Sequence, residues 1–160
     1  MSTMTRKSTL GIGSALLLLL ALGACQPQGA SSGQIVGNVR EFTVQGGDFY
    51  FQPKELTASA GERVRIVFTN VGKIPHEVEI SRLGATDVQL IGLPPNIPEQ
   101  EMQSLREHAA RGTPELWLPA GAKATVEFTV VNPGTYKMAC EIEGHVEAGM
   151  IGTFTVNPRQ

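Results

Sequence analysis

Residues 134–156 read GTYKMACEIEGHVEAGMIGTFTV, and this stretch decides the interpretation of the whole chain. It begins and ends with short segments, TYKMAC and IGTFTV, in which apolar and polar residues alternate. Between them Cys140, His145 and Met150 follow one another at equal steps, with four residues between neighbours. Alternation with a period of two is typical of β-strands. The stretch therefore predicts two strands joined by a loop that carries a thiol, an imidazole and a thioether.

The same alternation recurs along the chain, between turn signals such as SAGER, NVGK and PAGAK. The further predicted strands are NVREFTVQ (38–45), RVRIVFTN (63–70), HEVEI (76–80) and ATVEFTV (124–130). The chain has 160 residues with 18 Gly and 10 Pro, a composition that favours many turns over a helical bundle. The sequence thus predicts an all-β fold, a β-sandwich of two half-buried sheets.

One insertion, at about residues 82–115, interrupts this alternation. Within it PEQEMQSLREHAARG (98–112) predicts a short helix that begins near Pro98 and stops at Gly112. We interpret the insertion as a helical cover on the sandwich, and a lid or docking surface near the site is the alternative. His108 lies in this helix beside two arginines, and we expect it to be solvated.

The N-terminus has the features of an export signal, with Arg6 and Lys7 before an apolar run at 10–22. That run is shorter than the roughly 20 residues of a membrane-spanning helix. LGAC, which ends at Cys25, resembles the lipobox of bacterial lipoproteins. The resemblance implies that residues 1–24 are a lipoprotein signal peptide and that Cys25 is lipidated. An ordinary secreted protein and an uncleaved anchor helix are the alternatives.

Residues 25–36, which include QPQGASSGQ, predict a flexible tether. The folded domain is then expected to be extracytoplasmic and held by lipid at the bacterial cell envelope, on the periplasmic side or the cell surface. Residues 1–24 hold two of the 13 Lys and Arg and none of the 15 Asp and Glu, so the rest of the chain has a net charge of −4. That charge argues against nucleic acid as a partner.

Four candidate metal ligands converge in the predicted fold. The alternation points Cys140 inward with Met138, and it points His76 inward on another strand, while the loop contributes His145 and Met150. If Cys25 carries lipid, Cys140 has no disulfide partner, and a lone thiol in an oxidising compartment needs an occupant. One thiolate, two imidazoles and a weak thioether form the blue-copper arrangement. The set predicts one copper ion that cycles between Cu(I) and Cu(II), and zinc is a poorer fit.

KIPHEVEI (73–80) and the stretch 134–156 resemble the ligand segments of the cupredoxins, the type 1 blue copper proteins. The spacing within the ligand loop is similar to that of auracyanin and rusticyanin. The resemblance covers residues 38–158 apart from the insertion, and it implies a Greek-key β-sandwich domain at 37–160.

The cupredoxin resemblance also implies a role for each ligand. His76, Cys140 and His145 would be the equatorial ligands, Met150 the axial one, and His145 a partly exposed port for electrons. Many cupredoxins have Asn or Ser directly after the upstream histidine, where it helps to fasten the ligand loop. This chain has Glu77 there, which we expect to lie just outside the ligands and to affect the reduction potential.

The expected function is one-electron transfer by a membrane-tethered protein that is not an enzyme. A copper-binding protein for copper resistance or delivery, using the same ligands, is the alternative. A copper enzyme would need histidines for a second copper, and only His108 remains.

Three acidic residues, Glu141, Glu143 and Glu147, surround His145 in the sequence. They solubilise the loop or form an acidic rim that steers a cationic redox partner, such as a c-type cytochrome or a respiratory complex. We expect the protein to act as a monomer.

Overall fold

Two β-sheets packed face to face make up the computed structural model, which describes residue 1 and residues 30–159. Its elements are β1 (Gln34–Val36), β2 (Val39–Gly47), β3 (Tyr50–Gln52), β4 (Glu55–Ser59), β5 (Arg63–Asn70), β6 (His76–Ile80), β7 (Thr86–Ile91), α1 (Glu99–Ala110), β8 (Glu115–Leu118), β9 (Lys123–Thr129), β10 (Gly134–Ala139) and β11 (Ile151–Asn157). The all-β class with one short helix is confirmed. Apart from Met1, the predicted signal peptide lies outside the described residues, and so does Cys25. In the described part no helix has the length and apolar character that a membrane crossing requires.

The first sheet has the order β1-β2-β5-β9-β7, with β3 paired to β2, and the second has the order β4-β11-β10-β6-β8. Strands that follow one another in the chain, such as β5 and β6 or β9 and β10, lie in different sheets. The chain therefore crosses repeatedly between the sheets, as in the predicted Greek-key sandwich.

The core lies between the sheets and is filled by aromatic and branched side chains. In β5 the inward residues are Val64, Ile66 and Phe68, as the alternation predicts. Phe154 of the second sheet meets Phe42 and Phe128 of the first, with ring centroids 6.3 and 6.1 Å apart. These edge-on ring contacts fasten the two sheets to each other.

The predicted tether, 25–36, is wrong at its C-terminal end. β1 pairs with β2, and Ser31 forms a parallel bridge with Leu56 of β4. Backbone hydrogen bonds thus attach residues from Ser31 onward to both sheets, a contact that the polar composition does not reveal. Residues 25–29 lie outside the described residues.

The insertion at 82–115 contains the predicted helix but also strands that the sequence did not predict. β7 forms the edge of the first sheet beside β9, and β8, which begins at Glu115, forms the edge of the second beside β6. All four residues of β8 (ELWL) are buried, because α1 covers its outer face. A strand buried on both faces shows no alternation, which explains the miss.

Candidate metal centre

The four predicted ligands lie at one end of the sandwich. His76 begins β6, Cys140 directly follows β10, and Met150 directly precedes β11. All four are buried, and His145 retains 7% of its surface. One candidate donor atom from each of His76, Cys140 and His145 lies within 4.8 Å of the others. The structure therefore brings together side chains that are up to 69 positions apart in the sequence.

Backbone hydrogen bonds close the ligand loop. Cys140 N–H donates to the Met150 carbonyl at 3.2 Å, and Met150 N–H donates to the His145 carbonyl at 2.9 Å. Gly46 of β2 lies against this end of the core, since a Cβ there would come within 3.2 Å of Met150 Cε and 2.6 Å of Phe68. The loop and β2 thus hold Cys140, His145 and Met150 in fixed relative positions.

His76 has one ring nitrogen occupied and one available. Its Nε2 lies 3.1 Å from the Asp48 carboxylate, an arrangement that places the proton on Nε2. Its Nδ1 is buried and has no hydrogen-bond partner among the described residues. A buried acceptor without a partner is costly and rare. A metal ion bound to Nδ1 would satisfy it, with Asp48 orienting the ring.

The Cys140 thiol lies in an environment that keeps it protonated without a cation. Burial raises its pKa to about 11, and the backbone amides of Glu77, at 3.4 Å, and Ile142 oppose this shift only in part. Its Sγ lies 3.1 Å from His145 Nδ1. Burial, together with the nearness of His76, lowers the pKa of His145 and so favours the neutral imidazole that binds metals. A soft cation would convert this pair into a thiolate and an imidazole ligand.

Glu77 fastens the ligand loop, although it is not Asn or Ser. The alternation places it on the outer face of β6, yet it is buried there. One of its carboxylate oxygens accepts a hydrogen bond from Glu141 N–H at 2.5 Å. Burial, with the Glu115 carboxylate nearby, raises the pKa of Glu77 to about 8.

Phe49 covers the histidines and was missed in the sequence. Its ring lies edge-on to His145, with centroids 5.2 Å apart, and its centroid is 6.5 Å from that of His76. Phe49 itself is 41% exposed. His145 was expected to be partly exposed, but it is buried, and the exposed Phe49 ring lies against it. Asp48 and Phe49 belong to the β2–β3 turn. In the sequence, the residues GGD (46–48) indicate a turn there, but nothing indicates that it lies beside the histidines.

The expected acidic rim is exposed, but its members differ. Glu141, Glu143 and Glu147 are all exposed. Of the three, Glu141 forms an ion pair, with Lys137 at 2.5 Å. No ion pair of Glu143 or Glu147 is found among the described residues, so both side chains remain available to a cationic partner.

The prediction that His108 is a solvated helix residue is wrong. Its Nδ1 contacts the carboxylate of Glu115, a residue that is 4% exposed. The reason is tertiary, because α1 packs this face onto β8.

Comparison with known proteins shows the family to which the chain belongs. Residues 25–160 match the family model described as multicopper oxidase. The copper-resistant cuproprotein CopI of Rubrivivax gelatinosus is 34% identical over 66% of this chain. The aligned part spans 59% of that protein's length. CopI of Pseudomonas aeruginosa is 26% identical, over 91% of this chain and 95% of that protein. The chloroplast plastocyanin major isoform of Arabidopsis thaliana is 31% identical, over 84% of this chain and 71% of that protein.

Among solved structures, dithionite-reduced auracyanin from Roseiflexus castenholzii is similar in fold. The TM-score is 0.51 at 22% identity, with 81% of this chain and 100% of that chain covered. The chain belongs to the cupredoxin family, and it matches the multicopper oxidase model of that fold. Its cofactor is one copper ion, which the donor set and the unpartnered Nδ1 of His76 fit. The assignment of the individual ligands stays a prediction that their grouping supports.

Proposed function

We propose that the protein carries single electrons through a mononuclear type 1 copper site. The observation that carries this proposal is the buried group of His76, Cys140 and His145, closed by Met150 at the end of a rigid sandwich. Bound copper supplies the one-electron chemistry by cycling between Cu(I) and Cu(II). The chain's own residues hold the donors in place and exclude water from them.

Rigidity is the contribution of the surrounding residues. Asp48 holds the His76 ring, Glu77 holds the backbone of the ligand loop, and the loop's own hydrogen bonds fix Met150. Donors held in fixed positions rearrange little when an electron arrives or leaves, which suits rapid electron transfer. Electrons would enter and leave through His145 and the Phe49 ring above it.

We propose that the protein is not an enzyme in its own right. The chain has three histidines, and two of them are the proposed copper ligands. The third, His108, contacts carboxylates on the other face of β6, so a second copper centre of histidines cannot be assembled.

The proposed setting is extracytoplasmic, with the domain tethered to the cell envelope by lipid on Cys25. The signal-like residues 1–24 and the lipobox-like LGAC support this setting. The proposed partners are cationic redox proteins that meet the monomer at the acidic rim.

Copper resistance is the second candidate function. It is favoured by the two CopI relatives, one of which aligns over 95% of its length. The same ligands would serve. A carrier keeps its copper while it changes oxidation state, whereas a delivery protein transfers its copper to an acceptor.

The visible spectrum of the chain without its predicted signal peptide, after addition of Cu(II), tests the proposal. We expect an intense thiolate-to-copper band that Cys140→Ser and His145→Asn abolish and that His108→Asn retains. The band should bleach with reductant and return with oxidant while the copper content stays constant after desalting. A weak band would contradict the type 1 site, and copper loss on reduction would favour delivery.

A further inference from the structure

A second cluster of metal-binding side chains lies on the outer face of the second sheet. Glu79 of β6, His108 of α1 and Glu115 of β8 each offer one donor atom, and these atoms lie within 4.8 Å of one another. His108 Nδ1 contacts a Glu115 oxygen and lies 4.0 Å from Glu79 Oε2. Three separate elements thus converge on one point.

This arrangement is unfavourable for the sheet without a cation. Glu79 and Glu115 are directly opposite each other in the β6–β8 register. Like charges at such positions destabilise a sheet, and Glu115 is also withdrawn from water. Glu101 of α1 adds its negative field to the Glu115 carboxylate.

Arg106 of α1 and Arg111, which directly follows the helix, contact other partners. Arg106 lies 4.0 Å from Glu99, and Arg111 lies 3.6 Å from Glu107, both in exposed pairs. Among the described residues, the basic group paired with Glu79 and Glu115 is His108, a single imidazole. A divalent cation would therefore balance the charge of the two carboxylates better than a proton does.

The cluster is separate from the copper centre. Side chains alternate along β6, so His76 and Val78 face the core while Glu79 faces α1. The two groups therefore lie on opposite faces of one strand.

We propose that Glu79, His108 and Glu115 form a second metal site, which binds one divalent transition ion such as Zn(II). Imidazole nitrogen and carboxylate oxygen are both ligands of zinc, and three protein donors would leave a fourth position to water. Ser81 Oγ donates to Glu79 Oε1 at 2.6 Å, which orients the carboxylate so that Oε2 faces His108. The side chain of His108 is 28% exposed, which gives the ion a path from solvent.

The bound ion would join α1 to the edge of the sheet, since its ligands come from the helix, from the edge strand β8 and from its neighbour β6. We therefore expect Zn(II) to raise the melting temperature of the protein and to slow amide exchange in α1.

The test uses the copper-loaded protein, because an empty copper site would itself bind Zn(II). Isothermal titration with Zn(II) should show one equivalent bound while the visible copper band is unchanged. His108→Asn and Glu115→Gln should each weaken this binding at least about tenfold, since even groups that only orient a ligand are worth 10–100-fold. Glu107→Gln, an exposed change on the same helix, should bind as the unaltered protein does.

Three results would overturn the proposal. Absence of a Zn(II) equivalent, or equal binding in all variants, would mean that the cluster is only an imidazolium–carboxylate ion pair. Loss of the copper band in step with Zn(II) would place the ion at the copper centre instead. If Glu115→Gln does not fold, His108→Asn alone decides, because its side chain is partly exposed.

Discussion

Asp48 Oδ1 lies 3.1 Å from Nε2 of the fully buried His76 and also accepts a hydrogen bond from Lys73 N–H at 3.0 Å. One exposed carboxylate thus connects the β2–β3 turn, the loop before β6 and a predicted metal ligand. Gly72 permits this approach, because a Cβ there would come within 2.7 Å of His76 Nε2. The consequence is a defined tautomer of His76, with Nδ1 directed to the metal centre.

Changes at Asp48 should therefore affect copper binding. Asp48→Ala should weaken copper affinity about 10–100-fold, because the His76 ring loses the partner that orients it. Asp48→Asn retains an oxygen acceptor without the charge, and its affinity should be closer to that of the unaltered protein. A competition titration with a copper chelator measures both, and equal affinities for Asp48→Ala and the unaltered protein would contradict the role.

Glu77 should act on the ligand loop through the Glu141 amide. Glu77→Ala should lower the free energy of unfolding by about 1 kcal/mol, because that donor loses its partner. Glu77→Gln, which keeps an acceptor oxygen, should retain most of it. Hydrogen exchange at the Glu141 amide is the local measurement, and it should quicken in the alanine variant only. Equal protection in the two variants would show that the carboxylate does not hold the loop.

The acidic rim should steer a cationic partner. The association rate with a basic c-type cytochrome, measured by stopped flow, should fall severalfold as ionic strength rises from about 10 to 150 mM. Glu143→Gln and Glu147→Gln together should flatten this dependence, and Glu141→Gln should do so less because Lys137 already pairs with Glu141. A rate that does not change with salt would remove the steering role.

Acid should weaken the fold through Glu62. Its carboxylate accepts two hydrogen bonds from Arg40, each 2.5 Å long, and these hold its pKa below the ordinary value of 4.5. A group whose pKa is lower in the folded state contributes stability above its unfolded pKa and loses it as pH falls through the folded pKa. Glu62→Gln should therefore cost about 1–2 kcal/mol at pH 7 and progressively less below pH 4.5.

Urea unfolding of the metal-free protein at pH 7 and at pH 3 measures this difference. Since the copper ligands also bind protons, the informative quantity is the difference between the unaltered protein and Glu62→Gln at each pH. A difference that stays constant down to pH 3 would mean that the ion pair does not set the acid sensitivity.

Much of the metal centre could be predicted because its signals are local. Alternation along β6 and β10 indicates which side chains face the core. It predicts that His76 and Cys140 point inward, and both are buried in the structure. The spacing of His145 and Met150 fits a loop that returns to the next strand. The fold class follows from the same alternation, repeated between turns.

Other neighbours of the centre could not be predicted, because they depend on pairing between distant segments. Asp48 and Phe49 reach the histidines only after the β2–β3 turn folds over the end of β6. The position of Glu77 just outside the ligands followed from the cupredoxin resemblance, but its burial did not. Alternation distinguishes the two faces of a strand without showing what covers the outer one.

By itself the sequence determined the strands that alternate, namely β2, β5, β6, β9, β10 and β11, with their inward faces and the donor types at one end of the sandwich. This was possible because a two-residue period is a property of the local backbone. Only the tertiary structure decided that α1 and β8 cover the outer face of β6, burying Glu115 against His108. The physical reason is that the outer face is buried by packing of segments distant in the sequence. The four residues of β8 are therefore buried on both faces and show no alternation from which this packing could be predicted.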